Sequence, residues 1–147
     1  MSRIDALLED YGSYHRTRGN LVCHAFGITL ILYGTIAVLL LVPLGARWTA
    51  AEAGIALSFL FYLSLSAPLA LTMLVETVAL DAAARAIGDW RVGIAAFVVG
   101  WIFQGIGHAR YEKKSPAFLK NIVHLMVGPI FLWNELFHVR SVSGGRA

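Results

Sequence analysis

Gln104, His108 and Glu112 stand at four-residue steps in WIFQGIGHARYEKKSPAF, a stretch that begins apolar and ends basic. In a helix each such step advances about 40° around the axis, so the three side chains would share one face over roughly two turns. Near the start of the chain, in YHRTRGNLVCHAFG, Asn20 and His24 are one helical turn apart and His15 lies nine residues before His24. His124 falls one turn into the last apolar run. Neutral imidazole suits Fe, Zn, Cu and Ni, and two histidines with one carboxylate and open positions suit Fe(II) and O2. The expected metal ligands are therefore His15, His24, His108 and His124, with Glu112, Gln104 and Asn20 as the catalytic polar groups around them. Glu112 is open between three roles: a ligand, the carboxylate that takes the other ring N–H of a ligating His108, or the first member of the solvated run EKK.

Other readings of the same residues stand beside this one. There is no dense motif such as HExxH, and a lone histidine at a membrane border is more often an interfacial residue than a ligand. A non-enzymatic lipid-binding or assembly protein fits interfacial histidines, and a metal or proton transporter fits a path through Glu76 and the histidines. The glycines of QGIGH have no P-loop lysine and no preceding strand, which dismisses a nucleotide fingerprint.

The elements that must bring these residues together are membrane helices. The chain of 147 residues is 58% hydrophobic and 14% charged, with mean hydropathy +0.68, the composition of one integral membrane domain over residues 1–147. Residues 26–45 form a charge-free run of twenty, enough for about 30 Å of helix and one crossing. A second charge-free run covers 53–75, and shorter ones cover 92–107 and 121–134. The first 25 residues carry Arg3, Asp5, Glu9, Asp10, Arg16 and Arg18 and no apolar h-region, so no cleaved signal peptide is expected and the first apolar run acts as the anchor. The expected location is a membrane: the bacterial inner membrane, or the endoplasmic reticulum if the source is eukaryotic. A formal charge of +3 spread over loops suits anionic headgroups and makes no case for nucleic acid. Cys23 is alone, so no internal disulfide forms.

From 51 to 86 the helical pattern runs for 36 residues, about 54 Å of rod and longer than the hydrocarbon core. Pro68, in SLSAPLA, supplies the break. The pattern thus predicts an all-α polytopic bundle of about five helices, near 23–45, 52–66, 69–86, 91–109 and 120–138, with four to five crossings. Five crossings divide the 12 Lys and Arg seven to five, and a single kinked span at Pro68 gives the same division, each with the N-terminus weakly cytoplasmic. Only the broken form returns His108 to the side of His15 and His24. His124 falls on that side also, and His138 lies opposite it or on an amphipathic tail. Glu76, inside LTMLVETVAL, should face the bundle interior or be protonated, because an ionised side chain at mid-helix costs about 2.5–3.5 kcal/mol on insertion scales.

Two blocks carry a resemblance to a known family: YHRTRGNLVCHAFG, and Gly100 to Phe137 with Gly100, Trp101, Gln104, Gly107, His108, Glu112, Lys113, Pro116, Ala117, Asn121, Pro129, Phe131 and Glu135 in pattern. Over about a third of the chain it resembles the small membrane 2-hydroxy fatty acid dioxygenases. Tyr14, His15, Asn20 and His24 match in the first block. Arg16 stands where many members have a second adjacent histidine, and His124 is outside the pattern. The resemblance implies an Fe(II)-dependent oxygenase that uses O2 to shorten a 2-hydroxy fatty acid by one carbon, breaking the C1–C2 bond without a 2-oxoacid cosubstrate. The partners it implies are that acid, O2 and membrane lipid, with Arg18, Arg110, Lys113 or Lys114 available to the substrate carboxylate.

Overall fold

The computed structural model describes residues 2–113 and 123–137. His138 and Lys114, and the first three residues of the helix expected at 120–138, lie outside the described residues. Among the described residues there are six α-helices and one π-helical turn, against the five helices expected.

The additional helix is α1 (Arg3–Gly12). Ser2 and Asp5 form a capping box at its start, and Ile4, Leu8 and Tyr11 make a buried stripe. The helix α2 (Arg18–Leu39) begins five residues earlier than expected, because Thr17 caps it and accepts from the Asn20 N–H at 3.3 Å. It also ends six residues earlier than expected, in a turn where Pro43 pairs with Thr49 and Gly45 takes a φ of 98°. Thr49 and Glu52 then form a second capping box that opens α3 (Ala50–Leu63).

The break at Pro68 is present. The helix α4 (Ala67–Ile87) starts with Pro68 in its first turn, where a missing N–H is tolerated, and stops at Gly88 in the left-handed region. Asp89 caps α5 (Trp90–Ile106), which continues into the π-helical turn Gly107–Glu112. The last helix is α6 (His124–Phe137).

Two apolar clusters mark the ends of the bundle. At one, Tyr62 and Leu69, flanking the break, pack with Ile4, Leu8 and Tyr11 of α1 and Val127, Ile130 and Phe131 of α6. At the other, Ala51 and Ala84 pack on Tyr33, Ile36 and Ala37 of α2. So α3 and α4 are two antiparallel passes, and α5 brings the chain back to the end where α2 began. The segments α2, α4 and Trp90–Glu112 are long and apolar enough to cross a membrane. The pair α2 and α5 approaches most closely, through glycines: a Cβ at Gly27 would lie 2.9 Å from the Gly100 carbonyl oxygen and 2.8 Å from Gln104 Nε2.

Candidate metal centre

His15 sits between α1 and α2, His24 in the second turn of α2, and His108 in the π-helical turn; all three are buried. Their ring nitrogens converge, one from each histidine, all within 4.8 Å of one another. Each of the first two is aimed by a backbone carbonyl one turn earlier: His15 Nδ1 lies 2.8 Å from the Tyr11 oxygen, and His24 Nδ1 lies 3.0 Å from the Asn20 oxygen. A carbonyl can only accept, so Nδ1 carries the hydrogen in both rings and Nε2 presents a lone pair. Those two Nε2 atoms are 3.0 Å apart. Two neutral acceptors at that distance have no hydrogen to share and repel. A cation between them removes the conflict, and two imidazole nitrogens each about 2.0–2.1 Å from one ion at near a right angle are about 3 Å apart. The His108 ring completes the set, 4.9 Å from His15 and 4.8 Å from His24 between centroids. Burial holds the His15 pKa down at about 4, so this imidazole is neutral at pH 7 and in the form that binds metal. The Tyr11 ring stacks on it at 4.0 Å and fixes its plane.

Glu112 is not among the three converging groups. Its Oε1 accepts from the N–H of Arg16 at 2.7 Å, the N–H of Thr17 at 2.8 Å, the Thr17 hydroxyl at 3.0 Å and Asn20 Nδ2 at 3.2 Å. The carboxylate thus closes the N-terminus of α2, where unpaired N–H groups and the helix dipole favour an anion. By doing so it ties the π-helical turn that carries His108 to the segment that carries His15 and His24. Gly107 allows this approach, since a Cβ there would lie 3.1 Å from Cys23 Cβ and 3.3 Å from His24 Nδ1.

The other sequence candidates fall around the trio. Asn20 is buried, with Nδ2 on Glu112 and Oδ1 unpartnered among the described residues. Gln104 is buried with Nε2 unpartnered among the described residues, and lines the same cavity as the histidines. His124 lines that cavity too, but stands outside the trio and places Nε2 2.9 Å from the Asp10 carboxylate of α1. Cys23 is a buried free thiol. Glu76 lies elsewhere: it accepts from Trp133 Nε1 at 2.6 Å and joins α4 to α6. Arg18, Arg110 and Lys113 are exposed.

Sequence reasoning missed Tyr11, Asp10 and Thr17. The first two belong to α1, whose capping box at Ser2 and stripe at Ile4, Leu8 and Tyr11 were readable signals. The role of Thr17 depends partly on its backbone N–H, for which no side-chain pattern exists.

The cavity measures about 270 Å³. His15, His24, His108 and Gln104 form its polar head, and Ile28, Ile31 and Leu32 of α2 with Trp101 and Phe97 of α5 form apolar walls. The site can therefore hold a divalent ion at one end and a hydrocarbon chain along the other.

Comparison with known proteins agrees with this geometry. Residues 1–139 match the family described as 2-hydroxy-palmitic acid dioxygenase Mpo1-like. The chain is 30% identical over 132 residues to the 2-hydroxy-palmitic acid dioxygenase MPO1 of Saccharomyces cerevisiae, a match that covers 85% of this chain and 74% of the yeast protein. No solved structure matches the chain. With most of its length matched and three buried imidazoles converging beside an apolar cavity, the chain belongs to the Mpo1-like family of 2-hydroxy-palmitic acid dioxygenases.

Proposed function

We propose that the protein is an Fe(II)-dependent dioxygenase that shortens a 2-hydroxy fatty acid by one carbon at the membrane border. The observation that carries this reading is the opposed pair of His15 and His24 Nε2 atoms, with His108 beside them, at the head of an apolar cavity. Three neutral imidazoles leave positions open on an ion that prefers more than four ligands, as Fe(II) does in oxygenases. When bound, Fe(II) supplies O2 activation and a source of electrons at this head. The atoms balance for a 2-hydroxy acid and O2 giving the acid one carbon shorter, CO2 and water.

The residues of the chain divide the remaining work. His15, His24 and His108 hold the metal, and the Tyr11 and Asn20 carbonyls keep the first two in the tautomer that ligates. Glu112 positions them by fixing the start of α2 against the π-helical turn. Gln104, which lines the cavity, is the polar group available to orient a substrate hydroxyl or carboxyl, Asn20 holds Glu112 through Nδ2, and the apolar walls hold the chain and exclude water. His124 is kept to a supporting place by Asp10.

The deciding experiment is metal analysis of the purified protein together with turnover of 2-hydroxypalmitate. About one iron per chain and formation of the acid one carbon shorter are expected, with activity lost on chelation and regained with Fe(II). Full turnover by metal-free protein would end the reading.

A further inference from the structure

The polar groups of the cavity are gathered at one end, and its length is apolar. Along α2, Ile28 and Leu32 follow His24 at four-residue steps and so lie on the same face. Along α5, Trp101 and Phe97 lead away from His108 in the opposite chain direction. Of the α5 lining residues Phe97 is the farthest from His108, eleven positions away and so about 16 Å along the axis. Both α5 and α6 pack on α2, and α6 contributes Leu125 and Pro129 to the walls. The space is thus a groove over α2 flanked by two helices.

The groove runs over the seam between α2 and α5, whose backbones touch along its length: a Cβ at Gly27 would lie 2.9 Å from the Gly100 oxygen, and one at Gly34 would lie 2.9 Å from the Phe97 nitrogen and 2.7 Å from its Cβ. The lining ends at Phe97 on α5 and Leu32 on α2. The Phe97 ring itself is 38% exposed and leans on Trp101 at 6.2 Å, so it is a wall of open space rather than part of the packed core.

We propose that Phe97 is the floor of an acyl-chain groove and sets the longest 2-hydroxy acid that the protein accepts. The proposal rests on the dioxygenase reading for the identity of the head group. The groove is apolar over its length, so it discriminates by burial alone: each methylene that fits strengthens binding about fourfold, and the first that meets the floor adds nothing.

The test is binding of a homologous series of straight-chain 2-hydroxy acids to the full chain in detergent, read by displacement of a fluorescent fatty acid. The wild-type protein should gain affinity by about fourfold per methylene up to a break, then level off. Phe97→Ala should move the break to longer acids, and Leu32→Phe, which fills the groove at the level of Phe97, should move it to shorter ones. Variant-to-wild-type ratios cancel the partition of each acid into detergent. A break that stays in place in both variants overturns the proposal. Should Phe97→Ala fail to fold, Leu32→Phe decides alone: a shorter break supports the groove, and an unchanged one removes it. Turnover of the same acids separates the two readings. A break that moves in acids that are bound but never shortened leaves the groove standing and sinks the dioxygenase, whereas turnover with an unmoved break sinks the floor alone.

Discussion

The two ends of the bundle handle polar groups in opposite ways. Where α3 begins and α4 ends, charges meet in pairs at the surface: Arg85 bonds Asp81 at 2.8 Å and also Glu52, and its own side chain is 46% exposed. Such pairs contribute little, because water competes for both partners. At the other end three imidazoles are buried with their lone pairs converging, and atoms of Asn20 and Gln104 have no partner among the described residues. A buried polar atom left unpaired costs about 1–3 kcal/mol. Unpartnered buried atoms occur at both ends among the described residues, Asp81 Oδ1 and Tyr33 OH at the first, so the contrast lies in the arrangement: charges paired near the surface at one end, and imidazole nitrogens converging on one point at the other.

The comparison can be broken first at the trio. His108→Ala and His24→Ala should each lose bound iron and reduce turnover by more than about 100-fold, read by metal content after gel filtration and by product formation. Retention of full iron in either variant would erase the difference between the ends. Next in size is Glu112→Gln, which keeps an acceptor oxygen but loses the charge that faces four donors. It should weaken iron affinity or activity by about 10 to 100-fold while the site still loads at high iron.

Glycines sharpen the same contrast in stability rather than activity. Gly27→Ala forces a methyl group onto the Gly100 carbonyl and Gln104, and should cost about 1–3 kcal/mol in denaturant unfolding. Gly54→Ala, in α3, meets only Leu39 Cδ1 at 3.5 Å and should stabilise by roughly 0.5–1 kcal/mol through helix propensity. The smallest effect belongs to Arg85→Ala, expected within about 1 kcal/mol of wild type with iron content unchanged. A large loss of iron there would show that the far end is coupled to the site.

The sequence made the return of His108 legible, because 36 helical residues are too long for one crossing and Pro68 marks where they divide. It made the approximate positions of Asn20, His24 and Gln104 legible for the same reason: fixed steps on helices. It did not reveal that His124 would be drawn aside, since the cause is Asp10 on a short, charge-rich helix whose apolar stripe is only Ile4, Leu8 and Tyr11. Nor did it reveal the partners of Glu112. Two of its four donors are backbone N–H groups of Arg16 and Thr17, which exist at every residue and become special only when a helix starts there. The departure from α geometry at Gly107 left no mark in residue type, because the hydrogen-bonding offset of a helix is set by what its side chains reach.

That departure gives the site a phase. In the π-helical turn Gly107–Glu112, hydrogen bonds skip one residue more than in α5, so the turn acts as a spacer holding one extra residue between the helix and its anchor. His108 near its start faces His15 and His24, and Glu112 at its end reaches the head of α2. Every residue of the turn adds to both the angle and the rise between the two side chains, so removing one position inside it would draw the carboxylate away from its four donors while leaving the imidazole in place. The count of residues between His108 and Glu112 is therefore as much a part of the site as their identities: the segment works as a cam, converting a fixed length of chain into the angle at which two distant pieces of the bundle lock together.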